Sequence, residues 1–334
     1  MLGGFLALLS AATFAFNNAS LRRGVLTGSV AQAMAITVPI GVPIFLLTAA
    51  ATGTLAAVAD FSLHAILVLC TAGIIHFIWG RYCNYRATRA IGANLTAPVQ
   101  QSNLIISLVL AIWILGETLT PLKLLGIGLI LLGPYYALRQ QNKKNTLASS
   151  AATSGAKIET KPAAFQPRYA EGIIFSLLSA TGYGVSPILI RIGLEGKGLS
   201  ASLAGGLVAY SAATAVMALF LLWPGQLRHA LAVKPESAKW FTLSGVMVCV
   251  SQMFLFMAMS IAPVTVVSPI NRLSIMFRLY FSRLINPQHE VFGGKIIVGT
   301  AISLLGAVAL SLSTEVVASM VPDALLPILH WRWP

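Results

Sequence analysis

The residues best able to do chemistry are charged and amide side chains inside long apolar stretches. Arg81 lies deep in the apolar stretch 61–88, and at helical spacing its face also carries Phe77, Tyr85 and Thr88. An arginine in hydrocarbon is costly and tends to face a bundle interior, so we expect it to bind an anionic group of a substrate. The alternative is that the helix ends near Gly80 and Arg81 extends to the membrane interface. His76, five residues earlier, could carry a proton.

Two further groups of polar residues each follow a proline inside an apolar stretch. Pro98 precedes Gln100, Gln101 and Asn103, and Pro269 precedes Asn271 and Arg272. Proline removes a helix hydrogen bond and kinks the backbone, which frees a carbonyl group at that depth. We therefore expect two helix kinks whose polar side chains form opposing walls of one substrate cavity. The alternative is that these side chains only hydrogen-bond one helix to another.

Other residues in the stretches have simpler predicted roles. Asn17 lies deep in the first stretch and Tyr183 in a corresponding stretch later in the chain, and we expect both to line the same substrate cavity. Five glycines are predicted to form close-packing helix surfaces: Gly126, Gly128, Gly133, Gly299 and Gly306.

The chemistry that is missing also limits the function. All nine acidic residues lie in loops, at the ends of stretches or near the C-terminus. A pump that exchanges lipophilic cations for protons needs a carboxylate inside the membrane, so the sequence favours an anionic or zwitterionic substrate. The histidines and cysteines lack the spacing of metal ligands, and no acid pair accompanies them. We predict no catalytic residues, no metal and no cofactor; an enzyme acting on a lipid-linked substrate is a weaker alternative.

The composition predicts a multi-pass membrane protein. Of 334 residues, 57% are hydrophobic and 9% are charged, whereas soluble domains carry about a quarter charged residues. Apolar stretches of roughly 20 residues recur, each long enough to cross a bilayer as a helix. They predict ten transmembrane helices: 2–21, 29–52, 61–88, 92–115, 121–138, 172–191, 200–223, 240–261, 263–285 and 293–313. The net charge of +13 lies mostly between them, which indicates topology signals and lipid contacts rather than nucleic-acid binding.

The two halves of the chain resemble each other. The sequence Leu8–Ala11 recurs as Leu177–Ala180, and further matches follow in the same order: Arg22 with Arg191, Pro98 with Pro269 and Glu117 with Glu290. Five helices per half insert the second half upside down, as in many secondary transporters. We therefore predict an all-α fold of two inverted five-helix repeats, 1–139 and 169–314. A flexible polar linker, 140–168, joins them, and an interfacial tail, 315–334, follows.

Several of these motifs resemble those of the drug/metabolite transporter superfamily, in particular its ten-helix EamA-like members. The relevant segments are Phe14–Asn18 with Arg22, their second copy Tyr183–Pro187 with Arg191, and the turn Gly116–Thr120 followed by glycines. The second copy of that turn, 286–290, has diverged from the pattern. The resemblance implies transport of metabolites, but the family's substrates range from amino acids, purines, sugars and nucleotide sugars to drugs.

The sequence as a whole predicts a secondary transporter in the inner membrane that exports a small anionic or zwitterionic, amino-acid-like metabolite by alternating access. The alternative is an exporter of drugs or other neutral or cationic molecules. Membrane lipids are expected partners, and a homodimer is left open. Basic residues concentrate on the linker side, so the positive-inside rule predicts a cytoplasmic linker and external termini. The family resemblance implies the reverse orientation.

Overall fold

The computed structural model describes residues 2–115, 120–133, 135–136, 166–194, 200–261 and 270–311. Within these ranges the chain is helical and contains no strand. The α-helices in chain order are α1 Leu2–Gly24, α2 Val30–Thr37, α3 Gly41–Ala51, α4 Leu63–Gly73, α5 Arg81–Ile91, α6 Ala93–Gln100, α7 Ser102–Leu115, α8 Pro121–Gly133, α9 Tyr169–Gly193, α10 Ser200–Leu221, α11 Gln226–Leu231, α12 Pro235–Ile261, α13 Ser274–Ile285 and α14 Gly294–Ser311. Pro269, Glu117, the tail 315–334 and nearly all of the predicted linker lie outside the described residues.

Six helical stretches within the described ranges are long and apolar enough to cross a membrane, which makes this a membrane protein. They are Leu2–Gly24, Val30–Ala51, Leu63–Ile91, Tyr169–Ile190, Ala201–Leu221 and Pro235–Leu255. Two shorter apolar helices, Pro121–Gly133 and Gly294–Ala309, fall on predicted spans.

Two of the long stretches change their winding part-way. The second is interrupted between Thr37 and Gly41, where Pro39 cannot donate a backbone hydrogen bond. The third continues without a break from α4 through a π-helical turn, Ile74–Gly80, into α5. π-Helical turns are rare and occur often at functional sites.

Helices from the two halves of the chain pack against each other rather than forming separate bundles. Helix α1 packs mainly on α12 and α13, α9 packs on α4, α5 and α7, and α10 packs on α3 and α4. The largest buried cluster accordingly joins Val38 and Phe45 to Tyr210, Phe241 and Val248. Any cavity in the centre of the bundle is therefore lined by both halves.

Basic residues from several helices lie together at one end of the bundle. Arg23 at the end of α1 lies 3.8 Å from Glu236 at the start of α12. The backbone N–H of Arg168 donates to the carbonyl of Ala90 at 2.9 Å, which places the start of α9 beside the end of α5. Arg22 near the end of α1 donates to the carbonyl oxygens of Thr88 and Arg89 near the end of α5. Since α1 ends and α9 begins at this end, the two helices run in opposite directions. We call this region the basic end.

Glycines allow α8 and α14 to pack at close range. A Cβ atom added at Gly133 would overlap Ser303 and lie 2.6 Å from the carbonyl oxygen of Gly299, and one at Gly306 would lie 2.8 Å from that of Gly126. Four of the five predicted packing glycines therefore lie in this contact. Gly128 does not, because it faces open space.

Candidate functional site

Arg81 is buried in the centre of the bundle. Its Nη1 donates to the carbonyl oxygen of Thr37 at 2.9 Å and its Nη2 donates to the Tyr210 hydroxyl at 3.0 Å. Thr37 is the last residue of α2, and the next turn closes instead from Gly41 N to Val38 O. The helix break thus leaves the Thr37 carbonyl without its helical partner, and Arg81 donates a hydrogen bond to it instead.

Aromatic rings surround the rest of the Arg81 guanidinium. Its Cζ lies 4.9 Å from the centre of the Phe77 ring, and that ring stacks on Tyr210 at 3.8 Å. The Tyr85 hydroxyl donates to Thr37 Oγ1 at 2.9 Å. Arg81 is 3% exposed and α5 continues to Ile91, so the alternative that the helix ends near Gly80 is wrong. Among the residues that the structure describes, its partners are neutral oxygens and aromatic rings, which stabilise the charge without neutralising it.

A small cavity adjoins this group. It has a volume of about 50 Å³, and its lining includes Phe45, His76, Phe77, Tyr210 and Gln252. The His76 Nδ1 lies 2.7 Å from Ser186 Oγ, and the imidazole lies 4.7 Å from the ring of Tyr183. A cavity of this size holds a few water molecules, so a metabolite needs a more open conformation.

A second polar group forms around Arg278 on α13. Gln100 Nε2 donates to Asn84 Oδ1 at 2.9 Å and to Ser179 Oγ at 3.2 Å. Arg278 Nη1 makes two long hydrogen bonds of 3.5 Å, to Gln100 Oε1 and to the carbonyl oxygen of Ala93. Its Nε has no hydrogen-bond partner. The residue is 4% exposed. Burying a guanidinium with such weak partners costs folding free energy. Its Nε–H can still donate a hydrogen bond to another group.

A buried ion pair between Arg22 and Glu290 lies beside Arg278. Glu290 accepts from the backbone N–H groups of Ala93 and Asn94 at 2.6 and 3.1 Å, and Arg22 Nε lies 3.4 Å from its Oε1. The carboxylate therefore caps the positive end of α6. Burial raises the pKa of Glu290, and the Arg22 charge and the two N–H groups oppose that rise. Gly92, with φ of +83°, leaves room for the carboxylate, because a Cβ there would lie 2.5 Å from Oε2.

The structure brings some predicted site residues together and separates others. Arg81, His76 and Tyr183 share the region of the cavity, and Gln100 lies beside Arg278. Asn17 instead accepts a hydrogen bond from Ser244 at 2.6 Å between α1 and α12. Asn271 donates to Ser10 Oγ at 3.0 Å, on the same face of α1.

The remaining predicted residues lie near helix breaks. The α-helix containing Pro98 ends at Gln100, Gln101 is buried at the break, and α7 begins at Ser102. Asn103 Oδ1 and Arg272 Nε are both shielded from solvent without a hydrogen-bond partner.

Sequence reasoning missed Arg278, Asn84, Tyr210 and the buried position of Glu290. Arg278 lies inside the predicted ninth span and meets the criterion that selected Arg81, an ionisable side chain in an apolar stretch. Asn84 lies one turn after Arg81. No local pattern signals Tyr210, because its partners come from distant helices. Within the described ranges, no cluster of three or more His, Cys, Asp or Glu side chains could hold a metal ion.

Comparisons with known proteins bear on the family. The model of the EamA-like transporter family matches residues 1–139 and 170–312. No curated protein sequence matches the chain. One solved structure, titled only as the crystal structure of a protein, aligns with a TM-score of 0.47 and 18% identity over 92% of this chain and 94% of its own.

Proposed function

Because the chain belongs to the EamA-like transporter family, whose members move small molecules across membranes, we propose that it transports a small anionic or zwitterionic metabolite. An amino acid or a small carboxylate or phosphate compound fits this description. Transport is secondary, by alternating access, and runs in the direction of export.

The observation that carries this proposal is a set of cationic side chains without anionic partners. Arg81, Arg272 and Arg278 lie inside predicted spans, and among the described residues none has a carboxylate oxygen within 4 Å; the ion pairs there involve Arg22, Arg23, Arg86 and Arg168. A buried charge without a partner lowers the stability of the folded protein. Inside a membrane protein such charges mark substrate or ion pathways. A substrate carboxylate or phosphate supplies the missing charge through paired N–H donors.

Alternating access rests on the proposed symmetry. Ten transmembrane helices in two inverted repeats, 1–139 and 169–314, agree with the opposite directions of α1 and α9 and with the glycine contact between α8 and α14. In this arrangement the Gln100 and Arg278 group lies between the repeats, where inverted-repeat transporters bind their substrates.

The basic end faces the cytoplasm in this proposal, with the linker inside and both termini outside. Arg23, Arg86, Arg89 and Arg228 lie at that end, in agreement with the positive-inside rule. We place the protein in the inner membrane. A reporter fused to the C-terminus gives the orientation directly.

Flux through proteoliposomes tests the substrate class. The wild-type protein should move radiolabelled amino acids or small carboxylates faster than a quaternary ammonium ion of similar size. Arg81→Ala, Arg272→Ala and Arg278→Gln should each reduce that flux, because each removes a charge from the pathway. Arg283→Gln is the control, since Arg283 is exposed on the same helix as Arg278. Export of quaternary cations that survives all three substitutions would refute the proposal.

A further inference from the structure

A cleft at the basic end has a different character from the central cavity. Its volume is about 600 Å³, and it lies between the start of α2, the last turns of α5, the start of α9, the end of α10 and α11. Its charged lining consists of Arg86, Arg89, Arg168 and Glu171. We propose that this cleft binds the phosphate headgroup of an anionic membrane lipid. The inference is independent of the transported substrate.

The charges of the cleft favour a phosphate group. Three arginines face a single carboxylate, and Glu171 already contacts Arg86 Nε at 2.9 Å and Arg168 Nη1 at 2.8 Å. Arg89 is exposed and has no ion pair among the described residues. The cleft therefore keeps an excess of positive charge, and guanidinium groups bind phosphate oxygens in pairs.

The Arg86 side chain in the cleft is already held by its neighbours. Arg86 Nη1 donates to the Tyr82 hydroxyl at 3.1 Å, and its guanidinium lies 4.7 Å from the centre of the Phe175 ring. These contacts and the Glu171 pair fix the side chain before any ligand arrives, which lowers the entropy lost on binding.

The surroundings of the cleft favour a lipid over a soluble phosphate. Tyr82 and Phe220 line it, and both are partly exposed. Trp223, three residues after Phe220 and just beyond the end of α10, is 71% exposed. Aromatic side chains at the ends of spans lie at the level of the lipid headgroups, and basic pockets between helices on that side bind anionic headgroups. Acyl chains gain from contact with these apolar surfaces, whereas inorganic phosphate does not.

Lipid retention by the purified full-length protein tests the proposal. Native mass spectrometry should show that the wild-type protein retains phosphatidylglycerol in preference to phosphatidylcholine. Replacing Arg89 and Arg168 together by Gln should weaken retention of phosphatidylglycerol roughly tenfold or more. Arg228→Gln is the matched control, because Arg228 is exposed on α11 at the same end but does not line the cleft, and it should leave retention unchanged.

Three results would overturn the proposal. One is equal retention of the two lipids by the wild-type protein. Another is equal loss of phosphatidylglycerol in the control and the double variant. The third comes from titration with inorganic phosphate: if phosphate displaces phosphatidylglycerol completely at millimolar concentration and raises the melting temperature as much as the lipid does, the cleft is a site for free anions.

Discussion

The same substitution at two buried arginines should lower the stability at one position and not at the other. Arg22 donates to the carbonyl oxygens of Thr88, Arg89 and His289 at 2.9, 3.1 and 2.5 Å and pairs with Glu290. In Arg22→Met the Glu290 side chain, 0% exposed, keeps its charge without its partner. Removing one member of a buried ion pair costs about 3–5 kcal/mol of unfolding free energy.

Arg278→Met removes a charge that the empty protein holds loosely. Its two hydrogen bonds are 3.5 Å long, so together they contribute at most about 1 kcal/mol. Removing an unpaired buried charge recovers several kcal/mol, although the loss of its longer-range attraction for Glu290 reduces the gain. Methionine fills the space with a flexible apolar chain. We expect the unfolding free energy to stay unchanged or to rise by about 1–3 kcal/mol, while flux is lost.

Tryptophan-fluorescence melting of the detergent-purified variants, together with proteoliposome flux, measures both effects. Arg22→Met should lower the melting temperature, and Arg278→Met should keep or raise it. The exposed control Arg283→Met should alter neither stability nor flux. If Arg278→Met melts as early as Arg22→Met, Arg278 serves the folded structure and the assignment of a substrate role to it is refuted.

Two further predictions concern structural contacts. Gly92→Ala should lower the unfolding free energy by about 2 kcal/mol or more, since it combines a positive φ with a collision against Glu290. The control Gly53→Ala, at φ of +69° in open space, should lower it by about 1 kcal/mol. Equal melting temperatures for the two variants would contradict the role of the carboxylate. Asn17→Ala and Ser244→Ala should each destabilise the protein, with a coupling of about 0.5–1.5 kcal/mol in a double-mutant cycle. A coupling near zero would show that their 2.6 Å hydrogen bond contributes nothing to stability.

The burial of Arg81 could be predicted because it depends on local features. Hydropathy places it inside a long apolar helix, and i±4 spacing puts Phe77 and Tyr85 on its face. Its hydrogen-bond partners could not be predicted, because Thr37 and Tyr210 come from helices 44 and 129 residues away. That contact depends on the interruption between α2 and α3 and on how α10 packs against it.

Glu290 shows a second limit of hydropathy. A glutamate between two apolar stretches is expected in solvent, and its position in a connection is correct. It is buried because the first N–H groups of α6 lack helical partners and donate to its carboxylate. The positive φ at Gly92 and the charge of Arg22 complete this site. Only the folded arrangement of three distant segments reveals it.

The central claim is that water and substrate reach a polar chamber between the two halves. Its most direct test is the reaction of an introduced cysteine with a membrane-impermeant thiol reagent, after Cys70, Cys83 and Cys249 are replaced by Ser. Asn103→Cys should react in right-side-out and in inside-out vesicles, and more slowly when substrate is present, whereas Ala11→Cys, 0% exposed in α1, should not react. Failure of Asn103→Cys to react from either side would contradict the account.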